Sequence, residues 1–166
     1  MVLAVGSASD LFQRAVIALS DEDFERAEKL TKELLDLDDS NIDGWGLLAN
    51  IYQQSKQPTK AIKAAKKATE LDAENLQHWN NLGFLYLSQG QWKEGEECYA
   101  KAETLTDPSP TIFLNHAWSL IELQNEKAAL EKLQKAIERA LEDTVTVTIN
   151  TDEKYAKLRP LLKKLK

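Results

Sequence analysis

Trp79-Asn80-Asn81-Leu82-Gly83-Phe84-Leu85-Tyr86 has a counterpart 34 residues earlier, Trp45-Gly46-Leu47-Leu48-Ala49-Asn50-Ile51-Tyr52. Each stretch sets an aromatic, a leucine, a small residue and a tyrosine at steps that return to one face of an α-helix. A fixed period of this length marks a stacked helix-turn-helix array. No such unit buries its apolar face alone, so neighbouring copies must pack side by side.

The frame extends in both directions. Units beginning at Ala8, Ile42, Leu76 and Pro110 keep every step at 34 residues. The large anchor of the first helix falls at Leu11, Trp45, Trp79 and Phe113, and the small residue that admits a close helix at Ala15, Ala49, Gly83 and Ala117. The second helix repeats a small residue at Ala27, Ala61, Gly95 and Ala129. Helix starts are signalled at Asp38-Asp39-Ser40-Asn41 and Asp107-Pro108-Ser109-Pro110, and Gln57-Pro58 and Gln89-Gly90 break the pairs midway. The end units depart from the pattern: Ala18 replaces an aromatic and His116 a leucine. Outer repeats that face water are expected to differ in this way.

These residues resemble the tetratricopeptide repeat (TPR). The resemblance covers residues 8–143 as four repeats, 8–41, 42–75, 76–109 and 110–143. It implies an all-α, right-handed superhelix of four helix pairs, with a flexible lead-in over 1–7 and a capping segment over 144–166. Arrays of this family often end in a Leu- and Pro-containing helix that covers the last repeat.

The closing segment breaks the period. Val145, Val147 and Ile149 alternate with Thr144, Thr146 and Thr148, which predicts an extended strand with an edge open to a partner or a second copy. Thr151-Asp152 then starts a helix bearing Tyr155, Leu158, Leu161, Leu162 and Leu165, which Pro160 should kink or restart.

Composition narrows the function. The chain has 166 residues, 43% of them hydrophobic, which suits one domain. The single Cys98 excludes an internal disulfide and fits a reducing compartment. No apolar run is long enough to span a bilayer. Met1-Val2-Leu3-Ala4-Val5-Gly6 is short and lacks a basic start, a poor match to a signal peptide, so the expected location is cytoplasmic. Net charge is −6, yet residues 152–166 carry six basic groups against two acids, leaving −10 for the rest. An acidic body argues against nucleic acid as a partner. The basic tail reads as the solvated side of a closing helix.

Catalytic residues are few. There are two histidines and one cysteine, with no phosphate loop and no metal-ligand spacing, so neither enzyme chemistry nor a metal or cofactor is expected. His78 stands at a helix start, His116 at a packing position suited to a hydrogen-bonded core histidine, and Cys98 on an apolar face as a small buried hydrophobe.

The resemblance places function on the concave side, lined by the first helix of each pair. Carried over position by position, that side holds Asn50 and Gln54 in the second unit. It holds Gln77, Asn80, Asn81 and Phe84 in the third, and Leu114, Asn115 and Trp118 in the fourth. Amides offer donors and acceptors to an extended peptide backbone, and the aromatics offer seats for apolar side chains. Co-chaperones of this family grip a C-terminal carboxylate with two Asn and several cations. Asn50 and Asn81 match the Asn positions, but Gly46, Thr111 and Asn115 stand where the cations belong. Without them a terminal carboxylate is poorly held. The expected function is a non-catalytic adaptor or assembly factor that binds a peptide segment of a protein partner. The alternatives are a dedicated small chaperone, like those of type III secretion, and a self-associating structural protein that forms homodimers through its C-terminal segment.

Overall fold

The computed structural model describes residues 7–140 and 142–165. Its elements are α1 (Ala8–Ser20), α2 (Phe24–Leu37), α3 (Ile42–Gln54), α4 (Pro58–Leu71), α5 (Leu76–Ser88), α6 (Trp92–Glu103), α7 (Pro110–Glu122), α8 (Glu126–Arg139), α9 (Glu142–Thr151), a 3-10 helix (Glu153–Leu158) and α10 (Arg159–Leu162). The first helices of the four pairs start at Ala8, Ile42, Leu76 and Pro110.

Local chemistry sets these boundaries. Ser7, Asp23, Asn41 and Asn125 each accept a backbone N–H of the first turn at 2.8–3.3 Å. Pro58 and Pro110 open α4 and α7, where a missing N–H costs nothing. The turn inside each pair is the same turn four times. Glu22, Lys56, Gly90 and Gln124 are left-handed, with φ of 58°, 57°, 68° and 61°. The N–H of the following residue then donates back to the carbonyl five positions earlier: Asp23 to Ala18, Gln57 to Tyr52, Gln91 to Tyr86 and Asn125 to Leu120, at 2.8–3.0 Å.

The chain divides between Ala73 and Glu74 into two compact units. In the first, α1 and α2 pack as a hairpin, α3 lies on α2, and α4 pairs with α3. Leu11, Ala15, Ala27, Leu34 and Ile51 are at most 1% exposed there. In the second, α5–α6 and α7–α8 form hairpins that meet through α6 and α7. Backbones approach closely at Gly95, where an added Cβ would fall 2.4 Å from Leu87 Cδ2.

The C-terminal segment corrects one sequence expectation. Residues 144–150 lie in α9 rather than in a strand. Val145 and Ile149, four residues apart, are buried at 1% and 0%, whereas Val147 between them is 58% exposed. A strand would put all three on one face, and the described residues offer no strand to pair with its backbone groups. Thr148 and Thr151 instead donate their hydroxyls to the carbonyls of Thr144 and Val147, both at 2.8 Å. Burial of the i, i+4 pair overrides β-branched propensity, and the open strand edge disappears with it. Arg159 closes α9 by donating to the carbonyls of Ile149 and Asn150, both at 3.2 Å. Pro160 sits in the first turn of α10, so it restarts the helix. The lead-in before Ser7 lies outside the described residues.

Three of the four left-handed turn residues carry a Cβ, which costs about 1–2 kcal/mol each against glycine's entropic penalty of about 0.5–1. Lys56→Gly is therefore expected to raise stability by about 0.5–1 kcal/mol in urea unfolding, and Gly90→Ala to lower it by about 1. Equal or opposite effects would rule out the turn geometry as a source of strain.

Candidate functional site

In the first unit, Asn50 and Gln54 are exposed one turn apart on α3. Gln54 Nε2 donates to Asn50 Oδ1 at 2.9 Å. That bond leaves Asn50 Nδ2 as a donor and Gln54 Oε1 as an acceptor. One turn before Asn50, Gly46 faces open space: a Cβ built there would meet nothing within 4 Å. Leu47, next in the chain, is 9% exposed, and Val16 on the packed helix α1 is 38% exposed.

The second unit treats the corresponding positions differently. Gln77 and Asn81 are exposed on α5, and Phe84 is half-buried with Lys154 Nζ 5.7 Å from its ring centre. Asn80 is half-buried; its carbonyl accepts Tyr99 Oη at 3.4 Å, while its side-chain Oδ1 is shielded without a partner among the described residues. Leu114 and Asn115 are buried, each 3% exposed. Asn115 Oδ1 accepts the Tyr155 hydroxyl at 2.6 Å, and burial pushes the Tyr155 phenol well above its ordinary range. Trp118 lies between Trp92, 5.8 Å away, and Tyr155, which meets it edge-on at 6.1 Å. Lys157 pairs with Glu122 at 2.5 Å. The C-terminal segment thus occupies the α7 face that sequence reading gave to a partner. Leu114 and Asn115 are consumed by it, because Tyr155, Leu158 and Leu161 need cover and the α7 face supplies it.

Sequence reading placed His116 as a core histidine, and it is 2% exposed. Its Nδ1 lies 2.5 Å from Glu103 and its Nε2 3.3 Å from Glu96, while Lys132 Nζ reaches Glu103 at 2.6 Å. Two repeats earlier the same three positions are Leu35, Leu48 and Ala64, an apolar cluster. The departure at His116 was visible in the sequence; its partners were not, since they come from α6 and α8. Cys98 is buried, and His78 is half-buried with Nε2 shielded and without a hydrogen bond among the described residues.

Burial raises the Glu103 carboxyl, but hydrogen bonds from His116 and then Lys132 outweigh it, and its pKa falls below the ordinary 4.5. A depressed carboxyl stabilises the fold above its unfolded pKa and loses that contribution as pH falls through the folded value. Glu103→Gln is expected to cost about 2 kcal/mol at pH 7 in urea unfolding, and its deficit should shrink toward pH 3. A deficit independent of pH would show that only packing is lost.

Family comparison agrees with this architecture. Residues 18–79 match a tetratricopeptide-repeat model, and residues 64–97 match a second. No curated protein matches the sequence significantly. Among solved structures, a MamA protein superposes with a TM-score of 0.79 at 16% identity, covering 95% of this chain and 85% of its own. YrrB, described as a TPR protein with an unusual peptide-binding site, gives 0.74 at 18% identity, covering 88% and 75%. PilF of Pseudomonas aeruginosa gives 0.69 at 20% identity, covering 95% and 75%. At these identities the likeness is one of fold.

Proposed function

Because the chain is a tetratricopeptide-repeat protein, we propose that it is a non-catalytic adaptor that holds an extended, largely uncharged segment of a protein partner. In this reading the four units 8–41, 42–75, 76–109 and 110–143 form the adaptor body, and the C-terminal segment closes its last unit. The observation that carries the proposal is the open α3 face. Asn50 and Gln54 present an unused donor and acceptor one and two turns from Gly46, which faces open space. A peptide backbone needs alternating acceptors and donors, and the Asn50–Gln54 bond fixes both partners in advance of binding. In the second unit, taken by itself, Gln77 and Asn81 are exposed amides of the same chemistry on α5. The peptide-binding site named for YrrB supports the same class of ligand.

The neutral face also selects the partner. With Gly46 at a position where carboxylate-clamping relatives carry a cation, a segment ending in a free carboxylate gains nothing, and an internal segment is favoured. No helix among the described residues is long and apolar enough to cross a membrane; the single Cys98, which fits a reducing compartment, supports a cytoplasmic location for the adaptor.

Gly46 separates binding from folding. A side chain there projects into open space, so Gly46→Leu is expected to raise stability by about 0.5–1 kcal/mol through helix propensity. The same change puts a bulky side chain beside Asn50 and should abolish binding of a peptide selected on the wild-type protein by phage display, measured by calorimetry. Asn50→Ala should weaken that peptide about tenfold. Undiminished binding by both variants would remove this face as the site.

A further inference from the structure

On the side of α3 opposite Gly46 and Asn50, a trough of about 610 Å³ runs between α2 and α4. Its floor is Trp45, Leu48 and Tyr52. The indole Nε1 donates to the Asp39 carbonyl at 2.8 Å, which fixes the ring. The walls are oppositely charged. Asp36 and Asp39 line one side together with Lys32, whose charge is already paired with Glu28 at 2.7 Å, and Lys60 and Lys63 on α4 line the other. None of Asp36, Asp39, Lys60 and Lys63 takes part in an ion pair within 4.0 Å among the described residues, although Lys60 Nζ lies 5.2 Å from the Tyr52 ring centre. Helix α4 carries four lysines against one glutamate, a local +3 within a chain of −6.

The second unit shows what such a trough accepts. The positions 68 residues later than Trp45, Asp39 and Leu71 are Phe113, Asp107 and Arg139. There the Arg139 guanidinium lies 5.5 Å from the Phe113 ring centre, bonds Asp107 at 2.8 Å, and also donates to the Pro108 carbonyl at 3.3 Å. The cavity beside it is about 330 Å³. In the first unit the arginine position is Leu71, 40% exposed, so the guanidinium that Arg139 supplies to Phe113 and Asp107 has no counterpart at this position, although Lys60 lies over the Tyr52 ring. Tryptophan is the stronger cation–π platform of the two.

We propose that this trough is a second docking site, built for an arginine of a partner protein with a carboxylate close by in the same segment. The guanidinium stacks on Trp45 and pairs with Asp39 or Asp36, repeating with an external arginine what Arg139 does internally. The neighbouring carboxylate meets Lys60 and Lys63, so the charged walls fix the direction in which the segment lies. The site uses none of the amides assigned to the α3 peptide face, and the two readings stand or fall separately.

The test titrates the 15N-labelled full chain with a capped heptapeptide carrying one arginine and, two residues later, one glutamate. Shifts of the Trp45 indole N–H and of α4 amides are expected. Replacing the peptide arginine by neutral citrulline should weaken binding at least tenfold. Leu71→Arg should supply the missing guanidinium in cis, pair it with Asp39 and weaken the peptide at least tenfold. Asp39→Asn, which leaves the backbone carbonyl under Trp45 intact, should weaken it several-fold. Calorimetry of each variant checks that it remains folded. Equal affinity for the citrulline peptide, or unchanged binding to the Leu71→Arg chain, overturns the proposal. So do shifts confined to Asn50 and its neighbours, no shift at millimolar peptide, or a mass that doubles with concentration and makes a second copy the occupant.

Discussion

The hydrogen bond that closes each helix pair is the constraint on which the other features rest. A left-handed residue turns the chain, and the next N–H reaches the carbonyl five positions back, at Asp23, Gln57, Gln91 and Asn125 alike. The bond fixes where the second helix starts relative to the end of the first, and so which residues meet between them. Ala15 and Ala27 are both fully buried in one core, and a Cβ added at Gly95 would lie 3.4 Å from the Gly83 carbonyl. With the inner faces set, the remaining surface of each first helix is divided in two. On α3 one side carries Gly46 and Asn50, and the other carries Trp45, Leu48 and Tyr52.

The two units use that frame to different ends. In the second, exposed surface is taken up from within. Tyr155 satisfies Asn115, Arg139 covers Phe113, and Glu103, His116 and Lys132 replace an apolar cluster with a charged, hydrogen-bonded one. The basic tail joins this pattern: Lys157 pairs with Glu122 and Lys164 with Glu126, so its cations serve as closures more than as a free patch. In the first unit no segment among the described residues covers the corresponding face: Trp45 bonds the nearby Asp39 carbonyl, and Asn50 and Gln54 bond each other. Its amides are exposed, and its charged trough is open between α2 and α4.

Legibility in the sequence followed the range of the interaction. Helix starts were readable because they depend on capping residues and prolines within a few positions, and the 34-residue frame lands on Ala8, Ile42, Leu76 and Pro110. The buried positions of the helices were readable from periodicity, and the groove positions were carried over from the family resemblance. What neither supplies is occupancy. Leu114, Asn115 and Trp118 were expected to meet a partner, and whether they meet one or Tyr155 depends on a segment 40 residues away. Residues 144–150 failed for a related reason. Alternation and β-branching favour a strand locally, and only the tertiary burial of Val145 and Ile149 decides for a helix.

The charge distribution then separates the two exposed surfaces by chemistry. Around Asn50 and Gln54 the hydrogen-bonding groups are neutral amides, so contacts are short-ranged and depend on a backbone lying in the right register. The trough opposes two aspartates to two lysines across an aromatic floor, so it attracts at longer range and orients what arrives. Surface charge of this kind is weak when screened by water, yet it strengthens once an apolar or aromatic contact excludes solvent. Arg139 on Phe113 shows the same pairing of cation and ring within the chain, with Asp107 still largely exposed. A partner that engaged both surfaces of α3 would gain through effective concentration what neither contact supplies alone, because one rigid helix carries both sites.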